Sequence, residues 1–145
     1  MIFILNGPNL NLLSVRHPNI YGHETLESIQ KNCEEIAKQF GHDLDFRQTN
    51  HEGVLIDWIQ EVGLKGTGLI INGGGLTHTS ISLLDALLIL SVPVIEVHLS
   101  LITKRETFRH HSFITPAAKG VIAGFGASGY TLALRALIEM INNQE

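Results

Sequence analysis

Short apolar runs alternate along the chain with longer segments whose apolar residues recur at helical spacing, the βαβ signature of a parallel sheet. Ile2-Phe3-Ile4-Leu5 predicts a first strand, apolar throughout as a strand covered on both faces should be. A polar segment over 7–24 follows, and Thr25 is then placed to cap a helix. Its apolar phase is Leu26, Ile29, Cys33, Ile36, Ala37 and Phe40, and Gly41 stops it. Cys33 falls on that stripe, so it reads as a core thiol and not as a nucleophile. Leu44 and Phe46 alternate with Asp43, Asp45 and Arg47, which predicts a second strand with one polar face. Leu55, Trp58, Ile59 and Val62 mark the next helix. Leu69-Ile70-Ile71 predicts a third strand, Val94-Ile95 with Val97 a fourth, and Val121-Ile122-Ala123 a fifth; a last helix spans about 128–142.

The helix between strands three and four, 81–90, is apolar nearly all round, with Ser82 and Asp85 its exceptions. Such a helix needs burial on two sides, and in a small domain the second side is most simply another subunit. No repeat or linker divides the chain. Five strands with intervening helices predict one α/β domain over 1–145. The expected architecture is a flavodoxin-like, doubly wound parallel sheet of order 2-1-3-4-5 with helices on both faces.

Composition sharpens this picture. At 145 residues, 44% hydrophobic and 17% charged, the chain is apolar for its length, which excludes disorder. One cysteine excludes a disulfide scaffold. A membrane span needs roughly 20 apolar residues in a row, yet the most apolar stretch, 81–102, is broken by Asp85, Pro93, Glu96 and His98. Ile2 to Leu5 leads straight into Asn6-Gly7-Pro8-Asn9, unlike a secretory signal, so a cytoplasmic protein is expected. Cys33 alone fits a reducing compartment. Ten basic against fourteen acidic residues give a net charge of −4, and no basic stripe points to nucleic acid. A homo-oligomer interface is the expected destination of the apolar surplus.

Doubly wound sheets bind ligands beyond the carboxyl ends of their strands, where strand order reverses. Strand one ends in Asn6-Gly7-Pro8-Asn9-Leu10-Asn11, strand three in Asn72-Gly73-Gly74-Gly75-Leu76-Thr77-His78, and strand four in Glu96, His98 and Ser100. This convergence predicts a small-molecule site. Strand periodicity puts Glu96, His98 and Ser100 on one face, where the carboxylate can take the ring proton of His98 and fix its tautomer. The same spacing also fits a core histidine satisfied by its neighbour. Arg105 and Arg109, four apart, share a face if their segment is helical and could hold a carboxylate or hydroxyls; surface salt bridging fits them equally. Arg16 and Tyr21 lie in a lid-length segment, about 14–24. A tyrosine, with a pKa near about 10, serves as a base only where a cation stabilises its phenolate.

Two motifs are discounted. Gly124-Phe125-Gly126-Ala127-Ser128-Gly129 matches the dinucleotide fingerprint, but that motif needs a second strand ending in an acidic residue, and here only a helix follows. It reads as a tight strand-to-helix turn. Eight histidines suggest metal, but a lone cysteine cannot complete a zinc-finger set, and His17, His23, His42 and His51 read as loop or surface residues. No metal is expected.

Asn6-Gly7-Pro8-Asn9-Leu10-Asn11-Leu12-Leu13, with Arg16, Pro18, Tyr21 and Gly22, resembles the opening of type II 3-dehydroquinate dehydratases. The resemblance continues through Gln48-Thr49-Asn50-His51-Glu52-Gly53, Thr77-His78-Thr79-Ser80 and Glu96-Val97-His98-Leu99-Ser100. It extends to Arg105-Glu106, Phe108-Arg109-His110-His111-Ser112, Gly120 to Gly124, and Gly129-Tyr130. The resemblance implies dehydration of 3-dehydroquinate to 3-dehydroshikimate, a shikimate-pathway step, through an enolate and without cofactor. It assigns Tyr21 as base, Arg16 as its phenolate partner, and Asn9 to the enolate oxygen. His98, oriented by Glu96, becomes the acid. Asn72, His78 and Arg109 would meet substrate hydroxyls, Leu99 and Ser100 its carboxylate, and Arg105 the lid. Asp85 would enter from a neighbouring subunit of a trimer that assembles into dodecamers.

Some positions depart from the pattern. Ser14 stands where Gly is usual, His17 where Glu is, Leu101 where Asn is and Leu84 where Arg is, and Gly73-Gly74-Gly75 replaces Pro-Gly-Ala, a more flexible turn. Other uses of the fold fit less well. A flavin module wants a Ser/Thr-rich loop where Pro8 and Asn9 stand, and a phosphoacceptor wants acids where Asn6 and Asn72 stand. An inactive homologue would not need the intact catalytic set.

Overall fold

Thr25 opens the first helix by a reciprocal cap. Its hydroxyl accepts the Ser28 N–H at 3.1 Å, and the Ser28 hydroxyl accepts the Thr25 N–H at 3.2 Å. Helix α1 then runs Leu26–Gln39, and Gly41, at φ 76°, turns the chain out of it. The computed structural model of the chain describes residues 1–15 and 24–144. Within them the other elements follow in order: β1 (Ile2–Asn6) before α1, then β2 (Leu44–Gln48), α2 (Glu52–Lys65), β3 (Gly68–Asn72), α3 (Ile81–Leu88), β4 (Val94–His98), β5 (Gly120–Ala123) and α4 (Ser128–Asn143). All four strand pairings are parallel and the order is β2-β1-β3-β4-β5, as the alternation of strand and helix periods predicts.

Strand alternation divides the core into two layers. Ile2 and Ile4 of β1 face Ile29 and Cys33 of α1 and Leu134 and Leu137 of α4. Phe3 and Leu5 face Leu55 and Ile59 of α2 and Leu83 and Leu87 of α3. Every residue of β1, β3 and β4 is buried, whereas β2 and β5 form half-covered edges. A fully buried aliphatic side chain contributes roughly 1.5–3 kcal/mol, so these two layers carry most of the fold's stability. On the β2 edge, Arg47 pairs with Asp45 and Glu61 and lies over the rings of Phe3 and Trp58.

Two expectations are refined. Helix α3 ends at Leu88 and not at Leu90, because its last turn tightens: the Ile89 and Leu90 N–H groups bond Ala86 and Leu87 three residues back. Within this chain it is buried on one side only, through Leu83, Ala86 and Leu87, while Ile81 is 60% and Ile89 79% exposed. The triple-glycine turn is also less free than its composition implies. Gly74 sits at φ +57°, and a Cβ there would lie 2.9 Å from the Pro8 carbonyl oxygen, so the turn is packed against the β1 loop. The glycines from Gly124 onward form the expected turn, joining β5 to α4. Among the described residues no helix is long and apolar enough to cross a membrane.

Burial pushes the Cys33 thiol up to about 12, which leaves almost no thiolate near neutral pH. Native protein at pH 8 should therefore resist iodoacetamide, and one equivalent should react after unfolding in urea. Rapid labelling of native protein would show that Cys33 is not held in the α1 layer.

Candidate active site

Parallel strands point the same way, so their carboxyl ends share one edge of the sheet. Asn6 is in register with Asn72 on one side and Gln48 on the other, and β4 carries His98 to the same edge. The cleft there is lined by Leu10, Asn72, Gly74, Gly75, His78, His98, Leu99, Ser100, Ile102, Arg105 and Arg109. Seven sequence-predicted residues therefore meet: Asn72, His78, His98, Leu99, Ser100, Arg105 and Arg109.

Glu96 stands behind them, 0% exposed, on the same strand face as His98. The His98 Nε2–H donates to its Oε2 at 2.5 Å. The Ser112 hydroxyl donates to that oxygen at 2.8 Å, and the Thr115 hydroxyl to Oε1 at 2.6 Å. Burial is the largest influence on this carboxyl and would raise it. The three hydrogen bonds and the His98 charge outweigh burial and hold it below the ordinary 4.5. Glu96 is thus an ionised acceptor. It fixes the neutral His98 ring as the Nε2–H tautomer and leaves Nδ1 to exchange a proton with a ligand. The geometry is that of an oriented acid–base histidine more than of an idle core pair, since His98 also lines the cleft.

His78 is oriented as firmly. Its Nδ1 lies 2.8 Å from the His111 carbonyl, which can only accept, so the ring proton sits on Nδ1 and Nε2 is left as an acceptor. Burial lowers its pKa below the ordinary 6.5, and His98 and Arg109 push the same way. Arg105 and Arg109 do not share one helix; two separate 3-10 turns carry this segment. The Arg105 Nη1 donates to Ser100 Oγ at 3.3 Å. Arg109 pairs with Glu106 at 2.5 Å while still lining the cleft, so salt bridging and site placement coexist.

Other candidates fall elsewhere. Asn9, at φ 71°, donates its backbone N–H to Asn50 Oδ1 at 3.0 Å, next to Leu10 but outside the cleft lining. Asp85 is exposed on α3 and does not line this chain's cleft. Arg16, Tyr21 and most of the expected lid lie outside the described residues. Sequence reasoning missed the Thr115 role. It opens a short 3-10 turn 19 positions from Glu96, where no periodicity signals the contact.

The model of the dehydroquinase class II family matches residues 1–138. The chain belongs to that family. It is 57% identical over 136 residues to the 3-dehydroquinate dehydratase of Rhizobium meliloti, covering 94% of this chain and 92% of that protein. It is 55% identical over 139 residues to 3-dehydroquinate dehydratase 2 of Agrobacterium fabrum, covering 96% and 95%. The crystal structure of type II dehydroquinase from Propionibacterium acnes superposes with a TM-score of 0.92 at 41% identity, covering 95% of both chains. That from Butyrivibrio crossotus gives 0.91 at 43%, covering 94% and 95%. The dehydroquinase likeness thus spans the sheet, the strand-end loops and the whole cleft.

Because the folded carboxyl of Glu96 lies below its ordinary value, its stabilising contribution is present above that ordinary value. It is lost as pH falls through the depressed folded value. Urea midpoints of wild type should therefore fall on acidification from pH 6 more steeply than those of Glu96→Gln. Parallel pH profiles would contradict the ionised, hydrogen-bonded Glu96.

Proposed function

We propose that the chain is a 3-dehydroquinate dehydratase of the shikimate pathway, a cytoplasmic hydro-lyase that needs no cofactor. The observation that carries this reading is the buried Glu96–His98 pair opening onto a cleft lined by Asn72, His78, Ser100 and two arginines. The substrate ketone is its own electron sink, so the task left to the protein is moving two protons and holding a negative charge.

In this reading Tyr21, its phenolate held by Arg16, removes the proton from the carbon beside the ketone. The electron pair moves onto the ketone oxygen, and Asn9, beside the cleft lining, stabilises the resulting enolate through a bound water. The enolate collapses to a conjugated ketone as the carbon–oxygen bond of the departing hydroxyl breaks. Protonated His98, charge-stabilised by Glu96, delivers a proton from Nδ1, and water leaves. His78, kept neutral, offers an acceptor to a substrate hydroxyl, and Asn72 and Arg109 offer donors. The backbone around Leu99 and Ser100 takes the carboxylate, and Arg105, bonded to Ser100, is the residue assigned to the lid. The exposed apolar residues Ile81, Leu88 and Ile89 support assembly through α3. Asp85 on that helix would then complete a neighbour's site in a trimer-based dodecamer.

Purified protein given 3-dehydroquinate should produce the ultraviolet absorbance of the conjugated product at the same rate with and without a chelator. No rise in absorbance overturns the function, and loss with chelator overturns the metal-free chemistry. His98→Asn should lower kcat by about 10²–10⁴-fold, the usual share of a general acid. Tyr21→Phe should abolish turnover while leaving substrate binding largely intact; near-full activity would remove Tyr21 from the role of base.

A further inference from the structure

Beneath the cleft a tyrosine that does not itself line it joins two strand ends. Tyr130 of α4 is 0% exposed. Its hydroxyl donates to Asn6 Oδ1 at 2.6 Å and accepts from Asn72 Nδ2 at 2.9 Å. Asn6 Nδ2 donates to the Arg47 carbonyl at 3.0 Å, and Asn72 Oδ1 accepts the Gly74 N–H at 3.1 Å. The hydrogen bonds therefore run in one direction, from the Gly74 amide through Asn72, Tyr130 and Asn6 to the Arg47 carbonyl.

Each link forces the next. The Arg47 carbonyl can only accept, so Asn6 must turn its NH₂ toward β2 and its oxygen toward Tyr130. The Tyr130 proton is then committed to Asn6, and its oxygen offers Asn72 a lone pair. An inverted Asn72 amide would set oxygen against oxygen in a dry interior and leave the Gly74 N–H facing an NH₂ group, both costly when buried. Burial also pushes the Tyr130 hydroxyl far from ionising, so it stays a donor. Asn72 is left with one N–H for the cleft it lines, its Oδ1 being engaged by Gly74.

From this geometry we infer that Tyr130 is a positioning residue. Through its hydroxyl it locks the Asn72 carboxamide so that the site presents a donor to an acceptor oxygen of the ligand, and it holds the Gly74 turn at the cleft rim. The kinetic part of this inference rests on the dehydratase reading. Tyr130 touches no reacting atom, so its loss acts on substrate affinity and not on the proton transfers of His98.

Tyr130→Phe, Asn72→Ala and the double variant test this. Tyr130→Phe should raise KM about tenfold, the effect of misplacing one buried hydrogen bond, with kcat and its pH profile unchanged. On the Asn72→Ala background the same substitution should add no further rise in KM. An unchanged KM in Tyr130→Phe, or an equal rise on Asn72→Ala, overturns the inference, because a merely structural loss would not depend on Asn72. Wild-type protein gives a readout that needs neither variant nor turnover. In ¹⁵N spectra one Asn72 carboxamide proton should exchange slowly, held by Tyr130, and the other fast. Equal exchange of both overturns the inference. Absence of turnover by wild type would instead sink the dehydratase reading, and the amide measurement would still decide the wiring.

Discussion

A carboxylate taken out of water needs hydrogen-bond donors on both oxygens, and the arrangement of the cleft follows from how Glu96 meets that demand. Its strand supplies His98 two positions on. The loop before β5 supplies Ser112 and Thr115. The Ser112 hydroxyl also accepts the Ile114 and Thr115 N–H groups at 3.1 and 3.2 Å, so the loop's conformation and the carboxylate's satisfaction depend on each other. With Glu96 ionised, His98 has one permitted tautomer and one nitrogen for chemistry.

The fold was legible because its signals are local. Four fully apolar residues in β1 and three in β3, each followed by helical periodicity, mark strands covered on both faces. Thr25 and Gly41 bound α1 by their own chemistry. The end of α3 was not legible: Ile89 and Leu90 continue the apolar pattern, and only the tightening of the last turn ends the helix. The apolar surplus that opens a question of assembly is visible in both sequence and structure, on the exposed side of α3.

The site was legible where strand ends converge, and less so where contacts are long-range. Glu96, His98 and Ser100 announce themselves by period-two spacing on a strand. The spacing of Arg105 and Arg109 suggests a helical face, yet Arg105 reaches the cleft from extended backbone after one 3-10 turn and Arg109 from the end of another. Thr115 and Tyr130 carry no local signal at all. One opens a single 3-10 turn, the other sits on the buried stripe of a helix, and only the packed sheet brings them to Glu96 and Asn72. Glycine was similarly double-edged: the Gly73-Gly74-Gly75 run suggests freedom, but Gly74 is there for close approach to Pro8.

The most direct test of the central claim reads the tautomer of one ring. Long-range ¹H–¹⁵N correlation spectra of imidazole-labelled protein should show the neutral His98 ring with its proton on Nε2, bonded to Glu96. In Glu96→Gln, whose amide can donate to the ring as well as accept from it, that single tautomer should be lost. A proton on Nδ1, or the tautomer mixture of a free imidazole, in the wild-type protein would contradict the account.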